Sequence, residues 1–260
     1  MTLRYGAVLS SLASLRGDPA IAELRPTQAA LRYRAGRDRF GAIAPLADIY
    51  EPARPTGASA MLVHGGGFVI GSRRMKPMRY LAARLVDAGV TVCAIDYRMI
   101  FRGGRLAEAT ADVRDAFAFW RARAPDPHKV SLVGTSAGAT LAMLAASQLD
   151  GVASVCAAFG LYEVDHLKGP ARLLPRMLFG TADRAAWSLA HHPAAPALLL
   201  HGDDDGLVPV AQAERLAERR DALGLSTRLV VYPGVPHGFF NLPIPAADAG
   251  AAEIIAFVRR

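Results

Sequence analysis

The sequence has few lysines, only two cysteines and no long hydrophobic run. Cys93 and Cys156 lie inside apolar runs typical of buried strands, where a free thiol behaves as a small hydrophobic group. We therefore expect neither a disulfide nor a metal site. No stretch reaches the roughly 18 apolar residues of a membrane helix, and serines interrupt the first apolar stretch, which argues against a secretion signal. These absences predict a cytoplasmic protein without a membrane span.

The basic excess of the chain is dispersed. The formal net charge is +7, but the basic residues are almost all arginines and they are scattered along the sequence. Clustered lysines and arginines attract polyanions, whereas Arg73, Arg74 and Lys76 form the single tight basic group. A general preference for arginine explains the excess, so we expect no nucleic-acid partner. The sequence leaves the oligomeric state open and is compatible with a homodimer.

The pattern of apolar residues predicts one α/β domain over residues 1–260. Short apolar runs alternate with longer segments in which apolar residues recur at helical spacing. Short, predominantly apolar runs are typical of strands buried on both faces of a parallel sheet. These predicted strands cover residues 60–63, 90–95, 130–133, 152–159, 197–200 and 228–231.

Two further short strands, at residues 30–34 and 47–50, are predicted as an antiparallel entry, giving about eight strands flanked by helices. The alternation is interrupted at residues 160–192, which mix prolines with large apolar residues. We interpret residues 160–192 and the first 40 or so residues as short cap elements above the sheet.

A candidate nucleophile stands between a predicted strand and a predicted helix. The pentapeptide Gly134-Thr135-Ser136-Ala137-Gly138 follows the strand at 130–133 directly and opens an apolar helix. This is the structural context that a Gly-x-Ser-x-Gly nucleophile elbow requires. Its glycines allow the strand and the helix to approach closely, and the sharp turn exposes the serine hydroxyl. Ser136 is therefore the predicted nucleophile.

A serine hydroxyl attacks a carbonyl only when a base removes its proton. His237 is the predicted base, because it stands in a turn-rich loop just beyond the last predicted strand. That loop emerges at the same sheet edge as Ser136. His64 and His201 end strands and are interpreted as structural, and His191 or His192 is the alternative base.

The predicted base needs a carboxylate that orients its ring. Asp203, Asp204 and Asp205 follow the strand that precedes His237. We choose Asp205, because the chain must turn into the next helix directly after it, and Asp203 is the second choice.

Acyl transfer also needs donors for the oxyanion of the tetrahedral intermediate. Gly65, Gly66 and Gly67 follow the strand at 60–63, and glycines let backbone amides face a ligand without an intervening side chain. We expect these glycines and the amide of Ala137 to form the oxyanion hole. No Lys-Ser/Thr pair follows the triplet, which disfavours a nucleotide-binding loop.

From about residue 44 onward the chain resembles the hormone-sensitive-lipase-like and related bacterial carboxylesterase branch of α/β-hydrolases. The resemblance is carried by residues 64–68, Asp96-Tyr97-Arg98, residues 134–138, the Asp205 segment and His237-Gly238-Phe239. It departs from that branch at Thr135, where an acidic residue is usual. Residues 201–209 resemble instead the acid loop of esterases close to kynurenine formamidase and dienelactone hydrolase.

These motifs predict a serine carboxylic-ester hydrolase that acts on small or short-chain acyl esters through an acyl-enzyme, without a cofactor or metal. The expected partner is a small-molecule ester. Four aromatic residues are expected to line its pocket, namely Phe68, Tyr162, Trp187 and Phe239. The alternatives are an aryl-formamidase or amidase of the same fold and a pseudo-hydrolase that binds a ligand without turnover.

Overall fold

The computed structural model of the chain describes residues 21, 23–35, 45–102, 104–163 and 193–260. Within these residues eight strands form one sheet in the order β1-β2-β4-β3-β5-β6-β7-β8. β1 and β2 run antiparallel to their neighbours, and the other neighbouring strands pair in parallel. The predicted mostly parallel sheet with an antiparallel entry is confirmed. The strands are β1 (Gln28–Arg32), β2 (Leu46–Tyr50), β3 (Ser59–Val63), β4 (Thr91–Ile95), β5 (Val130–Thr135), β6 (Val155–Ala158), β7 (Ala197–Gly202) and β8 (Thr227–Tyr232).

Helices cover both faces of the sheet, because apolar side chains alternate between the two faces along each strand. Met61 and Val63 pack with the helices of one face, whereas Ala60 and Leu62 pack with those of the other. The helices among the described residues are α1 (Lys76–Asp87), α2 (Leu106–Arg121), α3 (Ala137–Ala146), α4 (Ala211–Ala222) and α5 (Pro245–Val258). α2, α3 and α4 share the first face, and α1 and α5 share the second.

β8 differs from its prediction as a strand buried on both faces. Among the strands that the structure describes it is the last of the sheet and pairs with β7 alone. Arg228 and Val231 are exposed on it, and the remaining residues of β8 are only partly buried. An apolar run in the sequence does not reveal whether a second strand covers its outer edge.

The two cysteines are free and buried, in β4 and β6, and their side chains belong to the cores on opposite faces of the sheet. Burial raises the pKa of each thiol well above its ordinary value. The predicted cap elements at residues 1–40 and 160–192 lie largely outside the described residues. None of the helices described is both long enough and apolar enough for a membrane crossing.

Candidate active site

Ser136 occupies a sharp turn between β5 and α3. Its backbone has φ 52° and ψ −120°, a conformation that non-glycine residues seldom adopt. Its amide donates a hydrogen bond of 2.8 Å to the carbonyl of Ala158 at the end of the adjacent strand β6. The neighbouring strand therefore holds this turn in its strained conformation and leaves the side chain of Ser136 partly exposed.

The two glycines of the pentapeptide are required by close backbone contacts. A Cβ atom added to Gly138 would lie 2.1 Å from the carbonyl oxygen of Val63, and one added to Gly134 would lie 2.2 Å from that of Gly138. A larger residue at either position would therefore push α3 away from the sheet. The predicted close approach of strand and helix is confirmed.

His237 lies within hydrogen-bonding distance of Ser136. Its Nε2 atom is 3.0 Å from the Ser136 hydroxyl oxygen, although 101 residues separate the two along the chain. Phe159, directly after β6, packs edge-on against the imidazole with ring centroids 5.0 Å apart. The pair thus has the geometry of a nucleophile and its general base.

Asp205 completes the chain of contacts from the other side of the imidazole. Its Oδ2 atom lies 2.6 Å from Nδ1 of His237, and its Oδ1 atom accepts hydrogen bonds from the amides of Leu207 and Val208. Burial by itself raises the pKa of Asp205, but hydrogen bonds from His201 and His237 outweigh burial and lower it to about 2. The carboxylate is therefore ionised at neutral pH and fixes the orientation of the imidazole.

The two neighbouring carboxylates face elsewhere. Asp203 is exposed and its Oδ1 accepts a hydrogen bond of 2.6 Å from the amide of Gly234, and Asp204 is exposed as well. Of the three aspartates that follow β7, the structure thus brings Asp205 to His237.

The glycine-rich loop after β3 packs directly against the turn of Ser136. A Cβ atom on Gly65 would come within 3.2 Å of Cβ of Ser136, so this glycine permits the approach. Gly66 and Gly67 adopt positive φ angles of 113° and 61°. Among the described residues, the amides of Gly66, Gly67 and Ala137 donate to no other group. They stay available to a ligand.

The loop is anchored at its far end by Arg73. The amide of Arg73 donates a hydrogen bond of 2.7 Å to Asp96, and its guanidinium contacts both Asp96 and Asp48. Next to Asp96, the hydroxyl of Tyr97 donates to the carbonyl of His64, and the two rings stack. Asp96 and Tyr97, which follow β4 directly, therefore hold the loop in place.

Three of the four predicted pocket residues are described by the structure, and all three are buried. Phe68, Tyr162 and Phe239 are 4%, 1% and 0% exposed. Phe239 packs against Phe159, beside His237, rather than facing solvent. Trp187 lies outside the described residues. The role of all four in substrate binding stays a prediction.

The contact between His201 and Asp205 was not predicted from the sequence. His201, interpreted as structural, places its Nε2 atom 3.2 Å from Oδ2 of Asp205. The signal available in the sequence was its position four residues before Asp205. The alternative bases His191 and His192 lie outside the described residues. Among those residues, no three His, Cys, Asp or Glu side chains are grouped closely enough to hold a metal ion.

Comparison with known proteins assigns the chain to a family. Residues 80–255 match the model of the dienelactone hydrolase family, which takes in Ser136, Asp205 and His237. An esterase from Thermogutta terrifontis, solved with propionate bound, superposes with a TM-score of 0.72 at 25% identity, over 90% of this chain and 96% of that one. The expected α/β-hydrolase fold is confirmed.

The curated proteins that are similar in sequence include the following two. A probable isoprenylcysteine alpha-carbonyl methylesterase from Oryza sativa subsp. japonica is 30% identical over 73% of this chain. The chain spans about half of that relative's length, 54%. The ethyl acetate hydrolase of Pseudomonas putida is 28% identical, over 80% of this chain and 76% of the relative.

Proposed function

The chain belongs to the dienelactone hydrolase family, and we propose that within it the chain is a serine carboxylic-ester hydrolase. Ser136 is the proposed nucleophile, His237 the general base and Asp205 the residue that orients and stabilises the imidazole. The observation that carries the proposal is the unbroken contact chain: 3.0 Å from Ser136 Oγ to His237 Nε2, and 2.6 Å from His237 Nδ1 to Asp205 Oδ2.

In the proposed first half-reaction the Ser136 oxygen attacks the ester carbonyl carbon while its proton passes to Nε2 of His237. The tetrahedral intermediate then collapses, the bond to the alkoxy oxygen breaks, and the alcohol leaves with the proton from His237. In the second half-reaction water attacks the acyl-enzyme with His237 again as base. The carboxylic acid is released, and the proton returns to Ser136.

The oxyanion of both tetrahedral intermediates is proposed to accept hydrogen bonds from the amides of Gly66, Gly67 and Ala137. Their lack of other acceptors among the described residues supports this assignment. Each such donor contributes on the order of 3 kcal/mol to the transition state. Gly65, also predicted in the hole, supports it by letting the loop approach Ser136.

The proposed substrates are esters of small or short-chain acids. The names of two relatives support this class, since one hydrolyses ethyl acetate and another, the Thermogutta terrifontis esterase, was solved with propionate bound. Within the α/β-hydrolases we place the chain near the lipase-like carboxylesterases on the motif of its glycine loop, residues 64–68, although Thr135 departs from that branch. No cofactor enters the proposed cycle.

Hydrolysis of 4-nitrophenyl acetate by the wild type and by Ser136→Ala and His237→Ala tests this proposal. We expect both variants to lose about ten-thousandfold or more in kcat, because the nucleophile and its base act as a unit. Ser147→Ala is the matched control, since Ser147 ends the same helix and bonds only locally, to the carbonyl of Leu144. Wild-type turnover by Ser136→Ala would refute the proposal.

A second substrate and a covalent probe distinguish the two alternative functions, an amidase and a binding protein. Faster turnover of N-formylkynurenine than of the acetate ester would identify an amidase with the same catalytic residues. A protein with neither activity and no covalent labelling of Ser136 by a fluorophosphonate probe would be a binding protein.

A further inference from the structure

His201 is a buried histidine at the carboxyl end of β7 that the proposed reaction does not use. Its side chain has no exposed surface. Its Nε2 atom lies 2.9 Å from the carbonyl oxygen of Val208 and 3.2 Å from Oδ2 of Asp205. Both neighbours are acceptors, so Nε2 must carry the proton. Nδ1 has no partner among the described residues.

The contact with His201 completes the coordination of the Asp205 carboxylate. Oδ1 accepts from the amides of Leu207 and Val208, and Oδ2 faces the ring nitrogens of His237 and His201. A carboxylate offers about four lone-pair positions. Each oxygen thus faces two donors, which restricts rotation of the group. The Nε2–H of His201 is shared between Oδ2 and the nearer Val208 carbonyl.

We propose that His201 is a positioning residue for the proposed catalytic triad, holding the Asp205 carboxylate in place through a second imidazole donor on the oxygen that faces His237. This inference rests on the proposed function. His201 touches neither the nucleophile nor a substrate, and it acts through Asp205.

Two consequences follow for the proposed reaction. Without the donor of His201, the carboxylate can rotate about its side-chain bonds, so fewer molecules hold His237 in the reactive orientation and kcat falls. In addition, the negative charge of Oδ2 then interacts with one imidazole instead of two. The remaining imidazole, His237, therefore keeps its added proton to higher pH, and that proton blocks the base.

Within the described part of the chain, the groups around Asp205 and His237 are few. Asp205 faces His201 from β7, His237 from the loop after β8, and the amides of its own loop. The other side of His237 faces Ser136 at the start of α3 and the apolar ring of Phe159 after β6. The exposed carboxylates on the same loop are Asp203 and Asp204.

The test compares His201→Leu with His201→Gln on 4-nitrophenyl acetate. Leucine fills a similar volume but cannot donate, and the amide of glutamine reaches the position of Nε2. We expect His201→Leu to lose roughly ten- to hundredfold in kcat with little change in KM. A loss of this size corresponds to one hydrogen bond to a charged group. We also expect its acid limb of kcat/KM to move to higher pH. His201→Gln should restore both.

His201→Asn is a second variant, because its amide is too short to reach Asp205, and we expect it to behave as His201→Leu. His128→Leu, at an exposed histidine, is the control and should match the wild type. Titration of reactive serine with a fluorophosphonate corrects each kcat for the folded fraction.

Three outcomes would overturn the inference: wild-type kinetics in His201→Leu, an acid limb that stays in place or moves to lower pH, or equal losses in the Gln and Leu variants. Each differs from failure of the proposed function. In that case Ser136→Ala would turn over the ester as fast as the wild type, whatever happens at position 201.

Discussion

The carboxyl group of Asp205 combines deep burial with a low pKa, two properties that ordinarily oppose each other. Burial penalises the charged form and raises the pKa, but donors on both oxygens reverse the balance and lower it to about 2. The charge is thus stabilised by donors on both carboxylate oxygens, namely two imidazoles and two backbone amides.

The depressed pKa of Asp205 predicts a pH-dependent stability. A carboxyl with a folded pKa near 2 and an ordinary value of 3.8 contributes roughly 2 kcal/mol to folding above about pH 4, and this contribution is lost as pH falls towards 2. The difference in unfolding free energy between wild type and Asp205→Asn should therefore shrink by that amount between pH 6 and pH 2. Urea denaturation at several pH values measures it.

Asp204→Asn is the matched control for this titration, because Asp204 is exposed one residue away. Its difference from the wild type should stay nearly constant over the same pH range. A constant difference for Asp205→Asn as well would show that Asp205 is not preferentially charged in the folded state.

The residues of the candidate site differ in how far the sequence predicts them. Ser136 stands in a motif with a fixed strand-turn-helix context, so its place follows from local pattern. Asp205 could be favoured over Asp203 only by the turn that follows, because the direction of a side chain at a strand end depends on the neighbouring strand. His201 was missed because a histidine that ends a strand is ordinarily structural, and no local pattern shows that its ring faces Asp205.

At the scale of elements, the candidate site depends on how closely α3 approaches the sheet. Gly138 lies on the first turn of α3, and Val63 is the last residue of β3. Because this contact is between backbone atoms, no change of rotamer can relieve it. The loop that carries Gly65 to Gly67 begins directly after Val63, so any displacement there reaches the proposed oxyanion hole.

Gly138→Ala is therefore expected to destabilise the fold although alanine is the better helix former. The added Cβ would lie 2.1 Å from the Val63 oxygen, and relieving such overpacking costs about 3 kcal/mol. Gly206→Ala is the control, because a Cβ atom there meets nothing within 4 Å. Chemical denaturation of both variants measures the difference, and equal stabilities would contradict the close contact.

The strands and helices were largely predictable because each has the periodicity of its class. The position of β8 was not, because lateral order in a sheet depends on crossovers that no local pattern encodes. Nothing in the apolar run at 228–231 distinguishes an edge strand from a central one. The partial exposure of β8 is explained by its position in the sheet, where β7 is its one neighbour among the described strands.

At the scale of the whole molecule, the buried carboxylate of Asp112 joins three separate parts of the chain. It lies on α2 and is 2.8 Å from Nε of Arg34, just beyond β1, and 2.9 Å from Nη2 of Arg98, beyond β4. The backbone amide of Arg98 also donates to it, at 2.8 Å. The antiparallel entry, the central sheet and a covering helix thus share one anion.

Asp112→Asn should destabilise the protein by about 3 kcal/mol, because it leaves two guanidinium groups facing a neutral side chain. Asp115→Asn provides the comparison, since its side chain is 53% exposed and lies 3.9 Å from the same Arg34. We expect a change below about 1 kcal/mol there. Thermal unfolding of both variants tests this, and similar melting temperatures would exclude a shared anchor.

The proposed nucleophile Ser136 has a strained backbone, so selection for turnover at this position opposes selection for heat resistance. At φ 52° and ψ −120° a side chain costs roughly 1–3 kcal/mol that glycine would avoid. Ser136→Gly should therefore melt at a higher temperature than Ser136→Ala, which we expect to be equally inactive, and the reverse order would contradict the strain. A lineage that lost the need for this chemistry would gain stability by mutating that position, so glycine there would mark a relative that has abandoned catalysis.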